Sequence, residues 1–184
     1  MENDNSDAER EDYVYVLDYM PDGRSQDRAS DEPLLQGLGR TNFTLLEVVP
    51  REEARVKIGD YVYVGEGERE EVERVKRRIE YDDLTQGARK ELEYAVEDVV
   101  ADDERRFVDF YNDADSVTIR MHQLDLLPGI GEKIRNTIIE ERELQRFESY
   151  EDLEDRVAGL HSPDEVLVER IIAELKDEDV KYQL

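Results

Sequence analysis

The chain contains no cysteine and no tryptophan among its 184 residues. The lack of cysteine excludes disulfide bonds and thiolate metal sites. No apolar run approaches the roughly 20 residues of a membrane-spanning helix, and the first residues have neither the basic nor the apolar region of a signal peptide. We therefore expect a cytoplasmic protein with no membrane contact, and its 38% of apolar residues suffices for one large core or two small ones.

Positive charge is scarce as well. Fifty acidic residues face 25 basic ones, of which only 6 are lysines, so the net charge is -25. A protein that binds phosphates normally carries a basic surface. The acids, however, are spread along the whole chain, a pattern that resembles the proteins of salt-loving archaea. In molar salt the Debye length is about 3 Å, so local groups matter more there than the total charge.

Candidate catalytic groups are also few. The two histidines, His122 and His161, do not form a metal-spaced pair, and we expect His122 on a helix. Acid pairs such as Asp82-Asp83 and Asp102-Asp103 suit the Mg²⁺ of a nuclease, but acids occupy more than a quarter of all positions and such pairs arise by chance. We therefore predict a protein that is not an enzyme, with a magnesium-dependent nuclease as the least favoured alternative.

The N-terminal half has the pattern of a β-structure. After an acidic segment, residues 1–12, for which we predict disorder, runs of aromatic and β-branched residues predict short strands. A long loop is expected over residues 24–32, and the last run fits either a helix or a strand. The predicted strands are 13–20, 33–38, 43–49, 61–64 and 72–81. Five short strands with glycine-bearing turns predict a five-stranded OB-like β-barrel over residues 13–82.

From Thr85 onward the apolar spacing is helical. Residues 83–115 are expected to form a helical connector, and residues 116–184 an all-helical domain. The predicted helices of this domain are 117–125, 131–144, 149–157 and one that begins at Ser162-Pro163. The predicted fold class is therefore α+β.

The most informative segment contains a two-glycine turn, Leu127-Pro128-Gly129-Ile130-Gly131, directly before a helix. Pro128 fixes its own φ, the glycines accept values that a side chain disfavours, and Ile130 is an apolar plug. Gly131 should then lie at a helix N-terminus, where free backbone N–H groups attract anions. The segment therefore predicts a phosphate-binding turn.

This segment resembles the helix-hairpin-helix motif, which generally binds DNA or RNA without base specificity. The resemblance implies that the amides of Gly129, Ile130 and Gly131 contact a phosphate, with Lys133 and Arg135 as nearby basic side chains. It also implies a monovalent cation, K⁺ or Na⁺, at the backbone of Leu127 and Gly129, and no other cofactor. The alternative is a turn that merely joins two packed helices. Residues 159–162 lack the paired glycines, and we interpret them as a degenerate copy.

A second candidate surface combines basic and aromatic residues of the barrel. The basic residues are Arg74, Lys76, Arg77 and Arg78. On one face with Tyr61 and Tyr63 they would offer a platform on which unpaired bases stack. The alternative is that these tyrosines pack in or over a core.

Several blocks of the chain resemble an archaeal family of predicted RNA-binding proteins, domain of unknown function 655. The blocks are residues 13–19, 43–50, 75–79, 122–124 and the hairpin through Arg142. The resemblance implies an OB-type barrel followed by a helix-hairpin-helix domain, and no established enzymatic activity. Genes of this family often lie beside translation and rRNA dimethylation genes, which favours RNA over DNA.

Together these observations predict a non-enzymatic nucleic-acid-binding protein, for RNA more than for DNA, in translation or ribosome biogenesis. We expect a monomer whose protein partners are ribosomal or rRNA-processing proteins. The main alternative is an acidic interaction scaffold that docks a basic protein, such as a ribosomal protein.

Overall fold

The computed structural model describes residues 10–24, 32–176 and 184. The predicted disorder of residues 1–12 and the predicted loop 24–32 lie mostly outside the described residues. The chain folds as two compact units, Met1–Ala95 and Val96–Leu184. The division falls inside the predicted connector 83–115, and the predicted bounds of the separate domains stay a prediction.

The first unit contains a curled antiparallel sheet of five strands, half of a barrel. The strands are β1 (Tyr13–Met20), β2 (Leu34–Gly39), β3 (Leu45–Pro50), β4 (Tyr61–Tyr63) and β5 (Val72–Arg78). Their order is β4-β1-β2-β3-β5. All five predicted strands are confirmed, with ends that shift by a few residues. Since β4 and β5 form the two edges of the described sheet, a closed barrel of OB type stays a prediction.

One face of this sheet carries an apolar core built mainly from valine. Side chains alternate between the two faces of a strand, so Val14 and Val16 of β1 point to the same side as Leu46 and Val48 of β3. Gly37 of β2 lies where a Cβ would come within 2.0 Å of the Val14 side chain. The close approach of β1 and β2 therefore depends on a glycine at this position.

On the opposite face of the central strands, two polar side chains are buried among apolar ones such as Leu34 and Leu38. Gln36 and Glu47 have no exposed surface. The Gln36 amide donates to the carbonyl of Asp83 (3.0 Å) and accepts from the backbone N–H of Thr85 (2.9 Å). Every buried side-chain polar atom in the described part of the chain has a hydrogen-bond partner. This network fixes the start of helix α1 (Gln86–Asp102) on the sheet.

The second unit contains the end of α1 and four further helices, α2 (Glu104–Asp113), α3 (Glu132–Leu144), α4 (Tyr150–Arg156) and α5 (Pro163–Lys176). The predicted helices beginning near Gly131, Ser149 and Pro163 are thus confirmed. Ser149 accepts a hydrogen bond from the backbone N–H of Asp152 (3.0 Å), as an N-cap does.

The predicted helix over residues 117–125 is wrong, and so is the prediction that this region is entirely helical. The structure has two short strands instead, β6 (Ser116–Thr118) and β7 (Met121–His122), followed by a 3-10 turn (Gln123–Leu126). Three consecutive β-branched residues, Val117, Thr118 and Ile119, explain the difference, because such residues favour strands over helices. His122 therefore lies on a strand.

Arginines cap two helices of this unit. Arg142 donates to the carbonyls of Tyr111 and Ala114 at the end of α2 (3.1 and 2.8 Å). Arg156 donates to the carbonyls of Glu141 and Gln145 at the end of α3 (2.6 and 2.7 Å). These guanidinium groups satisfy carbonyls that a helix end leaves unpaired, and they are thereby committed to the fold. Within the described ranges, no helix is both long and apolar enough to cross a membrane.

Candidate nucleic-acid interface

The two-glycine turn has the geometry that the sequence predicts. Its entry is fixed by Leu127, whose carbonyl accepts from the backbone N–H of Ile130 (3.3 Å). Gly129 has a φ of 76°, in the left-handed region that favours glycine. Ile130 is buried at 7% exposure, and Gly131 is the N-cap of α3. The predicted roles of Ile130 as a plug and of Gly131 at a helix N-terminus are therefore confirmed.

The backbone at both glycines faces open space. A Cβ placed on Gly129 or on Gly131 would meet no heavy atom within 4 Å. Gly129 is explained by its φ, but Gly131 has a φ of -89° and extended backbone that any residue adopts. Neither packing nor backbone strain therefore requires glycine at position 131. Glycine is among the residues preferred at a helix N-cap, and the open space beside it leaves room for a ligand to approach the backbone.

Two of the three predicted amides are available. The N–H of Ile130 is used inside the turn, whereas the N–H groups of Gly129 and Gly131 have no hydrogen-bond partner among the described residues. The first backbone bond of α3 runs from Arg135 to the carbonyl of Gly131 (2.9 Å). The amides of Glu132 and Lys133 therefore also point out of the helix start, as expected for a first turn.

The two predicted basic side chains differ in their surroundings. The guanidinium of Arg135 contacts both carboxylate oxygens of Asp125 at 3.0 Å. Asp125 also accepts the backbone N–H of His122 (2.9 Å), so the pair links the segment before the turn to α3. Lys133 is exposed and forms no ion pair with any residue that the structure describes. Arg135 thus positions the turn, and Lys133 is the free cation beside it.

His122 takes part in the same arrangement through its ring. Its Nδ1 accepts the backbone N–H of Leu124 (3.1 Å), which requires that this nitrogen carries no proton. Burial lowers the pKa of His122, and the positive charges of Arg142 and Arg135 lower it further against the opposite effect of Asp125 and Asp115. The neutral ring therefore caps the 3-10 turn that leads into the glycine turn.

A second turn of similar shape lies before α5. The backbone N–H of Leu160 donates to the carbonyl of Val157 (3.2 Å), and Gly159 has a φ of 88°. Leu160 is buried like Ile130, but His161 stands where the first turn has its second glycine. A Cβ on Gly159 would lie 3.5 Å from the side chain of Ile134. This second turn therefore packs against α3 and lacks the open backbone of the first one.

The predicted basic cluster of the sheet is largely neutralised. Arg74 forms an ion pair with Glu32 (2.6 Å), and Arg77 pairs with the buried Glu47 (3.2 Å). Lys76 is half-buried, and Arg78 is exposed and has no ion pair with the described residues. The charge that the sequence concentrates in this segment is therefore mostly balanced by neighbouring acids.

The predicted tyrosine platform makes intramolecular contacts. Tyr61 lies edge-on to Tyr15, with ring centroids 5.4 Å apart, and the guanidinium of Arg40 stands 5.3 Å from the Tyr61 ring. Tyr63 lies edge-on to Tyr13, also at 5.4 Å, and its hydroxyl accepts the N–H of Gly67 (3.0 Å). In the sheet order three strands separate β4, which carries these tyrosines, from the arginines of β5. These contacts agree with the alternative that both tyrosine rings pack over the sheet.

A cavity of about 700 Å³ lies in the first unit, and its apolar lining includes Tyr63 of β4, Leu46 of β3 and Val75 of β5. The charged side chains around it are of both signs. They are Arg10, Glu11, Asp12, Glu66 and Arg69. This mixture does not favour an anion over a cation. Across the described stretches, no three histidine, aspartate or glutamate side chains are grouped so as to hold a metal ion.

The segment before the turn is a β-hairpin, which the sequence patterns do not predict. Ile119 and Arg120 join β6 to β7, and both are exposed. A signal was present in the sequence, since Asp125 is the only acid between Ser116 and Gly131. Where a helix was expected, the structure has a hairpin with few acidic residues and with the apolar Ile119 at its tip.

Comparison with known proteins identifies the family. The family model described as "Protein of unknown function (DUF655)" matches residues 10–184. The chain belongs to the DUF655 family. Uncharacterized protein MJ0038 of Methanocaldococcus jannaschii is 42% identical to this DUF655 protein over 175 residues, which are 95% of this chain and 79% of the relative. The crystal structure of Af1531 from Archaeoglobus fulgidus, of the same family, matches with a TM-score of 0.84 and 49% identity. That match covers 95% of this chain and 98% of the other.

Proposed function

We propose that this DUF655 protein is a non-enzymatic RNA-binding protein that holds a backbone phosphate at the turn formed by residues 127–131. The observation that carries the proposal is Gly131, a glycine in extended backbone with no atom within 4 Å of the position that a Cβ would take. The free amides of Gly129 and Gly131, the start of α3 and the exposed Lys133 all lie within residues 129–133. Such a helix start with free N–H groups suits a phosphate.

The proposal assigns the turn and α3 to the helix-hairpin-helix class and the curled sheet to the OB class. The element before the turn is a 3-10 turn and not a helix, so the assignment rests on the turn and the helix that follows it. RNA is preferred to DNA because of the family resemblance. The proposed setting is translation or ribosome biogenesis in the cytoplasm, with ribosomal or rRNA-processing proteins as partners of a monomer.

A monovalent cation fits the carbonyl side of the turn. The Leu127 carbonyl accepts one hydrogen bond, from Ile130, and a carbonyl oxygen has two lone pairs. The oxygens of Leu127 and Gly129 would hold K⁺ or Na⁺, which supplies positive charge next to a phosphate. Replacement of KCl by choline chloride at equal ionic strength should therefore weaken RNA binding if the cation takes part.

The decisive experiment is the substitution Gly131→Val. The extended backbone at this position accepts valine, and the open space leaves room for it, so the fold is expected to persist with a loss of at most about 1 kcal/mol from the poorer N-cap. The side chain would keep a phosphate away from the amides. We expect the dissociation constant for a fluorescent stem-loop RNA in KCl to rise by at least about tenfold, which corresponds to about 1.4 kcal/mol.

The matched control is His161→Val, which places the same side chain at the equivalent position of the second turn. This variant should bind the RNA like the wild type. A folded Gly131→Val protein with wild-type affinity would remove the turn from the mechanism. Recovery of basic proteins without any RNA after crosslinking in native salt would instead favour the interaction scaffold.

A further inference from the structure

The hairpin of β6 and β7 ends in a tip that no other described residue covers. Its two loop residues are Ile119, which is exposed at 105% of its reference area, and Arg120. The guanidinium of Arg120 has no ion pair in the described part of the chain. We call residues 116–122 the finger. An isoleucine with full exposure at the end of a two-residue loop gains nothing from the folded core, because it buries no surface there.

The base of the finger is fixed to the elements of the phosphate turn. The backbone N–H of Gln123 donates to the carbonyl of Asp115 (2.8 Å), and the side chain of Gln123 accepts from the N–H of Asp115 (2.8 Å). Asp125 joins His122 at the end of β7 to Arg135 of α3. Ile119 is three residues from His122, so the tip stands roughly 10 Å beyond this base at about 3.3 Å per residue.

The finger and the turn form a continuous segment of low negative charge. Between Ser116 and Gly131 the only acid is Asp125, and Arg135 neutralises it. The other stretch with a single acid over a similar length, residues 33–48, forms the buried strands β2 and β3. In a chain of net charge -25, the finger and the turn are thus an exposed region where a polyanion meets little repulsion.

Two free cations of the second unit lie in this region, whereas a third, Arg105, lies on α2. Most arginines of this unit cap helix ends or pair with acids, as Arg142, Arg146 and Arg156 do. Arg120 at the tip of the finger and Lys133 at the start of α3 are exposed and have no ion pair with the described residues. The sequence places one on either side of the glycine turn.

We propose that the finger is a second contact to the RNA held at the glycine turn, an inference that rests on the proposed function. Ile119 packs against an unstacked base, and Arg120 contacts a backbone phosphate. Isoleucine is one of the side chains that nucleic-acid-binding proteins insert between bases. Because bases are accessible in single-stranded loops and stacked away in an RNA duplex, the finger makes the protein selective for looped RNA.

The two tip residues should differ in how salt affects them. Ile119→Ala removes apolar contact, so it should weaken binding of a fluorescent stem-loop RNA by at least about fivefold, which corresponds to about 1 kcal/mol. This loss should be the same at every KCl concentration. Arg120→Gln removes one phosphate contact, so the slope of log K against log [KCl] should become shallower by about 0.7. When the same RNA is closed into a continuous duplex, its affinity for the protein should not be changed by Ile119→Ala.

Matched controls come from the same unit. Leu144→Ala removes another exposed apolar side chain, at 81% exposure on α3, and Arg105→Gln removes another exposed arginine, on α2. Neither should change affinity or salt slope. Since Ile119 and Arg120 are exposed, both finger variants should melt at the wild-type temperature, which shows that any loss of binding is local.

The outcomes separate the finger from the turn. If Gly131→Val weakens binding and the finger variants bind like the wild type, the finger is not a contact and the proposed function stands. If the loss on Ile119→Ala is equal for loop and duplex, the preference for looped RNA is overturned. If the wild-type protein binds none of these RNAs, the finger and the proposed function both fail.

Discussion

Single residues hold the glycine turn (residues 127–131) in place, and His122 is one whose contacts depend on pH. Its Nδ1 accepts the N–H of Leu124, and its backbone N–H donates to Asp125. Protonation of Nδ1 would replace an acceptor by a donor and would break the first of these bonds. The cap on the 3-10 turn before the glycines therefore requires a neutral imidazole.

The direction of the pH effect follows from the lowered pKa of His122. Its ordinary value is 6.5, so as the pH falls below about 6.5 the unfolded chain takes up the proton before the folded chain does. The contribution of this histidine to stability is complete above that pH and is lost as the pH falls through the lowered pKa. The melting temperature, measured at pH values from above 6.5 downward, should therefore decrease as the pH falls.

The substitution His122→Asn tests whether His122 causes this pH dependence of stability. An asparagine oxygen can cap the turn and does not titrate, so the variant should lose the pH dependence just below 6.5 and keep the stability above it. The matched histidine replacement is His161→Asn, at the exposed second histidine. An unaltered curve for His122→Asn would show that other groups produce the effect.

At the scale of whole elements, the central strands depend on a buried ion cluster. Glu47 on β3 is completely buried, and its carboxylate contacts Arg24 (2.5 Å) and Arg77 (3.2 Å). Arg24 also donates to the carbonyl of Asp83, next to the start of α1 (2.7 Å). The cluster therefore joins β3 and β5 to the segment that leads into the helix.

The substitution Glu47→Gln should destabilise the protein by about 1–3 kcal/mol, because it leaves two arginines without their buried counter-charge while both retain some contact with water. The measurement is urea unfolding monitored by circular dichroism. The control, Glu32→Gln, breaks the more exposed pair with Arg74 and should cost no more than about 1 kcal/mol. Equal losses for the two variants would contradict a special role for the buried cluster.

The elements also show what the sequence could and could not predict. The five strands and the helices from α1 onward follow from local patterns, because aromatic and β-branched runs and helical apolar spacing are properties of neighbouring residues. The β6–β7 hairpin was missed because the helix-hairpin-helix pattern suggests a helix before the turn, and the β-branched residues 117–119 outweigh it. In this segment the strand preference of the β-branched residues predicts the observed structure, whereas the resemblance to the motif does not.

The candidate site was predictable to a different extent. The φ of Gly129, the burial of Ile130 and the N-cap at Gly131 follow from the residue order alone. The engagement of Arg135 by Asp125 and of Arg77 by Glu47 does not, because ion pairs between residues 10 and 30 positions apart depend on the fold. The positions of the cations are therefore evident from the sequence, but which of them remain without an ion pair depends on the fold.

At the scale of the molecule, the net charge of -25 opposes the approach of any polyanion. In concentrated salt, screening at a Debye length of about 3 Å removes most of this repulsion. Contacts through backbone amides suit such a medium. They release few counterions, so added salt weakens them less than it weakens contacts made by lysine and arginine.

The salt dependence of binding tests whether the glycine turn is the proposed RNA contact. Two free cations, Arg120 and Lys133, flank the glycine turn, and each phosphate neutralised on a single strand contributes about -0.7 to the slope of log K against log [KCl]. The wild-type slope should therefore be no steeper than about -1.4. Anisotropy titrations from dilute to molar KCl measure it.

A much steeper slope would indicate that the β5 cluster around Arg78 supplies further phosphate contacts, which requires that Arg74 and Arg77 exchange their acids for RNA. The double variant Arg74→Gln and Arg78→Gln distinguishes these cases. It should leave the slope unchanged if the glycine turn and the finger carry the binding, because one of its arginines is already paired with Glu32 and the other then lies outside the interface. A slope that becomes shallower by about 1.4 in this variant would instead place two of the phosphate contacts on the sheet.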